Sequence, residues 1–175
     1  MKVLIAIDLQ NDFISGALGT KEAEAIVSTA RSLIESFEGP ILYTLDTHSE
    51  AYLKTEEGRA LPVPHCIEGT EGWQIEPTIL KALEVNSAIA VTKNTFGGKN
   101  LIPLLQEYEK DGIESIEFLG ICTDICVVSN VLLVKSFFPE IPLIVHEPAC
   151  AGVTPATHEA AITVLKSCLV QIQRS

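Results

Sequence analysis

Basic residues are scarce in this chain of 175 residues: 12 Lys and Arg stand against 23 Asp and Glu, for a formal net charge of -11. A nucleic-acid or anionic-membrane partner would need a basic face to neutralise phosphates, so neither is expected. Long apolar runs are missing as well, and none approaches the roughly 20 residues that a membrane helix needs. The start, MKVLIAIDLQNDF, meets Asp8 early and has no small-residue cleavage site, so it does not read as a secretory leader. The five cysteines, at positions 66, 122, 126, 150 and 168, are odd in number and form no paired CxxC elements. That excludes the usual zinc-ribbon and disulfide patterns and makes a reducing cytoplasm the expected compartment. With no linker-like Gly/Ser, Pro or single-charge run and no internal repeat, residues 1–175 are expected to form a single domain.

What is present is an alternation of short apolar runs with longer segments of helical periodicity, the signature of a parallel sheet covered by helices on both faces. KVLIAID (2–8), ILYTLD (41–46), SAIAVTK (87–93), SIEFLG (115–120), PLIVHE (142–147) and LVQI (169–172) read as six strands. The expected architecture is therefore a three-layer α/β/α sandwich around a six-stranded, mostly parallel sheet. Residues 47–76 interrupt the alternation with a long polar connection rich in Pro and Gly that holds two of the four histidines. A structureless connection of that size usually carries function or is disordered.

In open α/β sheets, ligands bind beyond the carboxyl ends of the strands. Four successive strands deliver polar or reactive groups to that edge: Asp8, Asp46 with His48, Lys93, and GICTDICV with Cys122 and Cys126. Gly120 allows a sharp exit, and Thr123 or Asp124 reads as the N-cap of an apolar helix starting near Ile125. Cys126 would then sit in a first helical turn, where unpaired N–H groups and the helix dipole favour a thiolate. Buried free cysteine is the plain alternative for both thiols; the company of Asp8 and Lys93 tips the reading to a nucleophile for Cys126 alone. Asp8 could take the thiol proton and pass it to a leaving amine. His146 is a weaker candidate base, and His158 reads as structural.

Asp46 and His48, with His65 brought back by the loop, could form a metal site with open positions, and Glu56 or Glu57 could add a fourth ligand. From spacing alone, a solvated loop with two surface histidines is the simpler account.

The motifs IAIDLQNDF, DTH, PHCIEGTEGW, VTKNTF, GICTDICV and ACAGVTPATHEAAI together resemble the isochorismatase-like cysteine hydrolases, and within them look most like the nicotinamidases. The resemblance implies a catalytic triad at Cys126, Asp8 and Lys93. It also implies a cis Ile121–Cys122 peptide that turns the Cys122 N–H toward the oxyanion beside that of Cys126. It implies a divalent ion, zinc by expectation with iron or manganese as alternatives, on Asp46, His48 and His65, with Glu57 preferred over Glu56 as the further ligand. Phe13 and Ile121 match positions lining the substrate pocket. Hydrolysis of nicotinamide to nicotinate and ammonia through a cysteine thioester is the implied activity, in a homo-oligomer whose partner is a small-molecule substrate. The alternatives are a related cysteine amidohydrolase acting on another small amide or ureido compound, and a non-enzymatic binding member of the fold. The family's tryptophan before Pro-x-His-Cys is missing, with Leu61 and Val63 nearby, and Trp73 is not assigned to the pocket.

Overall fold

A computed structural model describes residues 1–174. Six strands, β1 (Lys2–Ile7), β2 (Ile41–Asp46), β3 (Ile89–Lys93), β4 (Ser115–Ile121), β5 (Leu143–Ala151) and β6 (Gln171–Gln173), form one sheet in the order β3-β2-β1-β4-β5-β6. Every neighbouring pair is parallel. The central strands are apolar on both faces, as a sheet sandwiched between helices requires: all of β4 is buried and only Lys2 of β1 is exposed. The chain winds outward from β1 to β3, then returns to place β4 on the other side of β1. That reversal opens a crevice at the carboxyl ends of β1 and β4, where Asp8 and Cys122 leave the sheet.

Helices cover both sides of this sheet. A short α1 (Asn11–Ile14) precedes α2 (Lys21–Ser36), which Thr20 caps by accepting the Ala23 N–H and which buries Ala23, Ile26, Ala30 and Ile34. A five-residue helix, α3 (Glu56–Ala60), is followed by α4 (Pro77–Val85), α5 (Leu101–Glu109), α6 (Val128–Phe137) and α7 (Pro155–Ser167). Gly120 has φ +129, and a Cβ there would overlap the Ile7 carbonyl oxygen, so β1 and β4 can lie this close only with glycine at that position.

Three expectations are corrected. Strand six runs over Gln171–Gln173 rather than 169–172, because Leu169 turns through a left-handed φ of 64 and is exposed. Strand five continues to Ala151: after an irregularity opposite Phe118 to Gly120, Cys150 and Ala151 pair again with Gly120 and Ile121. The connection 47–76 is not structureless. A 3-10 turn (Tyr52–Lys54), α3, and bridges from His48 to Ile67 and from Gln10 to Ile75 fasten it to the sheet's carboxyl edge. Among the described residues, no helix is long and apolar enough to cross a membrane.

Candidate active site

Asp8 follows the last residue of β1 with a left-handed backbone, φ 48, a conformation that costs a non-glycine residue about 1–3 kcal/mol. Thr44 on β2 holds it there. Its hydroxyl oxygen accepts the Asp8 N–H at 3.1 Å and its O–H donates to Asp8 Oδ1 at 2.6 Å. Lys93, the last residue of β3, points its ammonium between two carboxylates, 2.7 Å from Asp8 Oδ2 and 3.2 Å from Asp46 Oδ1. The same Nζ lies 3.5 Å from Cys126 Sγ. Asp8, Asp46, Lys93 and Cys126 are all buried, so their charges act on one another with little screening.

These surroundings set the proton affinities. Burial raises the Asp8 pKa; Lys93 pulls against it and Asp46 adds to it, with a net upward shift. Burial would neutralise Lys93, but Asp8, Cys126 and Asp46 outweigh it and hold the ammonium above its ordinary range. Cys126 is raised well above a free thiol, by burial first and the Asp8 carboxylate second, against the pull of Lys93. This corrects the expectation of a thiolate favoured by a helix start. These surroundings favour a resting thiol at Cys126, beside a carboxylate whose raised pKa suits it to receive a proton.

The turn that carries Cys126 also differs from expectation. Helical winding begins at Thr123, as a π turn (Thr123–Val127) leading into α6, and Cys122 rather than Thr123 or Asp124 occupies the N-cap with no side-chain cap bond. The two polar side chains are engaged elsewhere. Thr123 Oγ1 is 2.9 Å from His158 Nδ1, and Asp124 Oδ1 accepts the Val153 N–H at 3.0 Å. Both bonds tie the turn to α7 and the loop before it. From below, Asn130 donates to the Cys126 carbonyl at 2.7 Å and to the Phe96 carbonyl at 3.0 Å, and accepts the Gly98 N–H at 2.7 Å. The Ile121–Cys122 peptide is cis.

On the other side of Asp46 lies a second constellation. Asp46, His48, Glu57 and His65 each offer a ligand atom, all within 4.8 Å of one another. His48 Nε2 is 3.0 Å from Asp46 Oδ2 and 3.8 Å from Glu57 Oε1. His65 Nε2 is 3.8 Å from Asp46 Oδ2 and 3.7 Å from Glu57 Oε1. Ligand atoms in a tetrahedron of bonds of 2.0–2.1 Å stand roughly 3.3–3.4 Å apart, so closing this cage on a cation would draw its more distant ligand atoms inward. His65 Nδ1 is 2.8 Å from the Val63 carbonyl, which can only accept, so that nitrogen carries the proton and Nε2 keeps its lone pair toward the cage. Two carboxylates and two imidazole nitrogens are a donor set suited to a divalent ion. Burial is the largest influence and works against both charges, but it is outweighed: His48 and the Lys93 ammonium together hold Asp46 below the ordinary carboxylate range, and Asp46 with Glu57 hold His48 above the ordinary imidazole one.

Both constellations open into one cavity of about 820 Å³, whose wall includes Phe13, Ile121, Cys122 and Cys126. Phe13 stacks beside His65, ring centroids 5.4 Å apart. Trp73 is not in the wall; its Nε1 donates to Thr47 Oγ1 at 2.9 Å. Glu56 borders the cavity but stands outside the four-residue cage. His146, in β5 with Nε2 2.6 Å from Glu117 Oε2, is not among the residues lining the cavity into which Cys126 opens.

Several supporting residues escaped the sequence reading. Gln10 donates to the carbonyls of Asp46 (2.9 Å) and Trp73 (2.7 Å) and accepts the Asp46 N–H at 2.8 Å, locking the metal-side loop to β2. Tyr52 packs its ring against His48 and His65, centroids 4.7 and 4.9 Å away. Asn130 had a legible signal, a lone amide within the apolar run VVSNVLLV; Thr44 and Tyr52 had none, since strands and loops both carry such residues freely.

The isochorismatase domain profile matches residues 2–175. The chain belongs to the isochorismatase family. A nicotinamidase/pyrazinamidase of Mycobacterium tuberculosis is 29% identical over 139 residues, covering 73% of this chain and 75% of the relative. The crystal structure of nicotinamidase/pyrazinamidase PncA from Bacillus subtilis superposes with a TM-score of 0.83 at 28% identity, covering 99% of both chains. A zinc complex of pyrazinamidase from Pyrococcus horikoshii shares the fold, with a TM-score of 0.79 at 23% identity and 99% of each chain covered. This family member is a nicotinamidase-like amidohydrolase.

Proposed function

We propose that the enzyme hydrolyses nicotinamide to nicotinate and ammonia through a thioester on Cys126. The observation that carries this reading is the shared cavity: Cys126, with Asp8 and Lys93 behind it, opens into the same space as the four-residue cage of Asp46, His48, Glu57 and His65. Amide cleavage needs a nucleophile and a proton shuttle at one end of the substrate, and a heteroaromatic ring needs a fixed anchor at the other.

Cys126 Sγ attacks the carboxamide carbon as its proton passes to Asp8, whose raised pKa makes it a better proton acceptor than an ordinary carboxylate. The oxyanion that forms is received by the backbone N–H groups of Cys122 and Cys126. Asp8 then returns the proton to the nitrogen as the C–N bond breaks, and ammonia leaves. Water attacks the thioester carbonyl, giving a proton to Asp8; collapse of the second tetrahedral species breaks the C–S bond and frees nicotinate, and Asp8 reprotonates the sulfur. Throughout, Lys93 keeps Asp8 anionic until a proton is offered and steadies charge developing on sulfur. A divalent ion on Asp46, His48, Glu57 and His65, zinc by expectation as in the Pyrococcus relative's complex, with iron or manganese as alternatives, would supply a Lewis-acidic anchor for the ring nitrogen. Phe13 and Ile121 flank the ring position.

Ammonia and nicotinate measured together after incubating metal-loaded protein with nicotinamide give the test. Equal amounts of both products are expected; absence of both would rule out the substrate, and full turnover by Cys126→Ala would rule out the thioester.

A further inference from the structure

The cavity above Cys126 is larger than nicotinamide requires. At about 820 Å³ it falls near the top of the range of about 300–1,000 Å³ that typically encloses a drug-sized ligand, whereas a pyridine carboxamide is a single small ring. Its wall is also divided. The buried polar groups cluster at the inner end, around Cys126 and the Asp46 cage; the exposed part mixes Leu61, Phe96 and Val153 with Thr55, Glu56, Asn94 and Thr95, and Leu18, Ala60 and Ile125 add further carbon. Three of the apolar residues stay strongly exposed, Leu61 at 38%, Phe96 at 47% and Val153 at 48%, and they come from three separate loops, after α3, β3 and β5. Exposed apolar side chains scattered singly are ordinary, but three converging on one opening form a surface suited to an apolar occupant. Charge narrows the occupant further: Asp46, Glu56 and Glu57 border the cavity, and no lysine or arginine is among its lining residues.

We infer that this site takes uncharged carboxamides bearing an apolar substituent beyond the ring, the inner end seating the amide and the outer part seating the substituent. The inference rests on the cysteine-amidase reading above and extends its substrate class; an acidic substituent is disfavoured because the wall supplies carboxylates and no cation.

The test is a comparison of kcat/KM for nicotinamide, its 5-phenyl and 6-phenyl derivatives, and its 5-carboxylate. At least one phenyl derivative is expected within tenfold of nicotinamide or above it, with the carboxylate more than tenfold below that derivative. Rejection of both phenyl derivatives by more than tenfold while nicotinamide is turned over would overturn this inference alone. Turnover of a phenyl derivative without turnover of nicotinamide would uphold it and overturn the nicotinamide assignment, and no turnover of any amide would overturn both. Phe96→Ser and Leu61→Ser are each expected to lower the ratio of phenyl-derivative to nicotinamide kcat/KM about five- to tenfold, the effect of withdrawing part of an apolar contact. A ratio unchanged in both variants would overturn the assignment of the outer wall.

Discussion

The two halves of the site are built in different ways. Asp8, Lys93 and the Cys126 turn hang directly from β1, β3 and β4, and hydrogen bonds to Thr44 and Asn130 fix them to the sheet and α6. Of the cage residues only Asp46 ends a strand; His48, Glu57 and His65 reside in the connection 47–76, held by Gln10, Tyr52 and the Val63 carbonyl. A half fixed by the sheet keeps its geometry without a ligand, whereas a half assembled by a loop depends on what it encloses. On the proposed mechanism, the chemistry, which tolerates little displacement, falls to the first half, and anchoring the substrate falls to the second.

Breaking the sheet-borne half should have the largest effect. Cys126→Ala is expected to lower kcat by about 10⁴-fold or more, since the residual activity of a site without its nucleophile comes only from binding and the oxyanion donors. Steady-state ammonia release checks this, and retention of a tenth of the wild-type rate would remove Cys126 from the reaction.

Asp8→Asn comes next, with kcat falling roughly 10²–10⁴-fold as the proton shuttle is lost. The same variant should move the thiol in the opposite direction. Burial raises the Cys126 pKa and the Asp8 carboxylate raises it further, while Lys93 lowers it. Taking away the Asp8 charge leaves the Lys93 influence, so the pKa falls and more thiolate exists at a given pH. The pH profile of Cys126 alkylation by iodoacetamide is therefore expected to shift to lower pH in the variant even as turnover collapses. A profile unmoved or shifted upward would mean that Asp8 does not act on the thiol as its position indicates.

Disturbing the loop-borne half should cost less in chemistry and more in stability. Removal of bound metal by a chelator is expected to lower the Tm, because an ion present at 100 to 1,000 times its Kd adds about 2.7–4.1 kcal/mol to the folded state. His65→Ala should abolish that metal-dependent gain and raise KM for nicotinamide more than it lowers kcat. An unchanged Tm on chelation in wild type would mean that the cage holds no ion tightly.

The same division explains what could be read from the sequence. Strand ends are legible, because a short apolar run fixes both where a strand stops and which edge its last residue reaches; Asp8, Asp46 and Lys93 follow from that rule. His65 and Glu57 could be named from the residues alone, but only the family motif preferred them over a solvated loop, since no local pattern tells where a loop of this length returns. The N-cap was misread for a related reason. Thr123 and Asp124 are good caps by type, but His158 and the Val153 N–H, both distant in sequence, claim their side chains. The thiol's proton affinity was misread because a helix start is a local feature, whereas burial beside Asp8 is a tertiary one.

The smallest effect, and the sharpest test of the division within GICTDICV, is expected at Cys122. Its thiol is raised to about 12, by burial first and Asp124 second, so it is protonated at neutral pH. It lies at the N-cap, ahead of the turn that aims Cys126, and the distance that links sulfur to the Lys93 ammonium belongs to Cys126. In the proposed mechanism Cys122 contributes its backbone N–H, which alanine also has. Cys122→Ala should therefore keep kcat within about threefold of wild type, with any loss falling on KM because the side chain borders the cavity. Cys122→Pro removes that N–H, and comparing the two variants separates the side chain from the backbone group. Near-normal kcat in the alanine variant and a fall of about 10²-fold in a folded proline variant is the pattern expected of an oxyanion donor. Equal and large losses in both would mean that the thiol itself takes part.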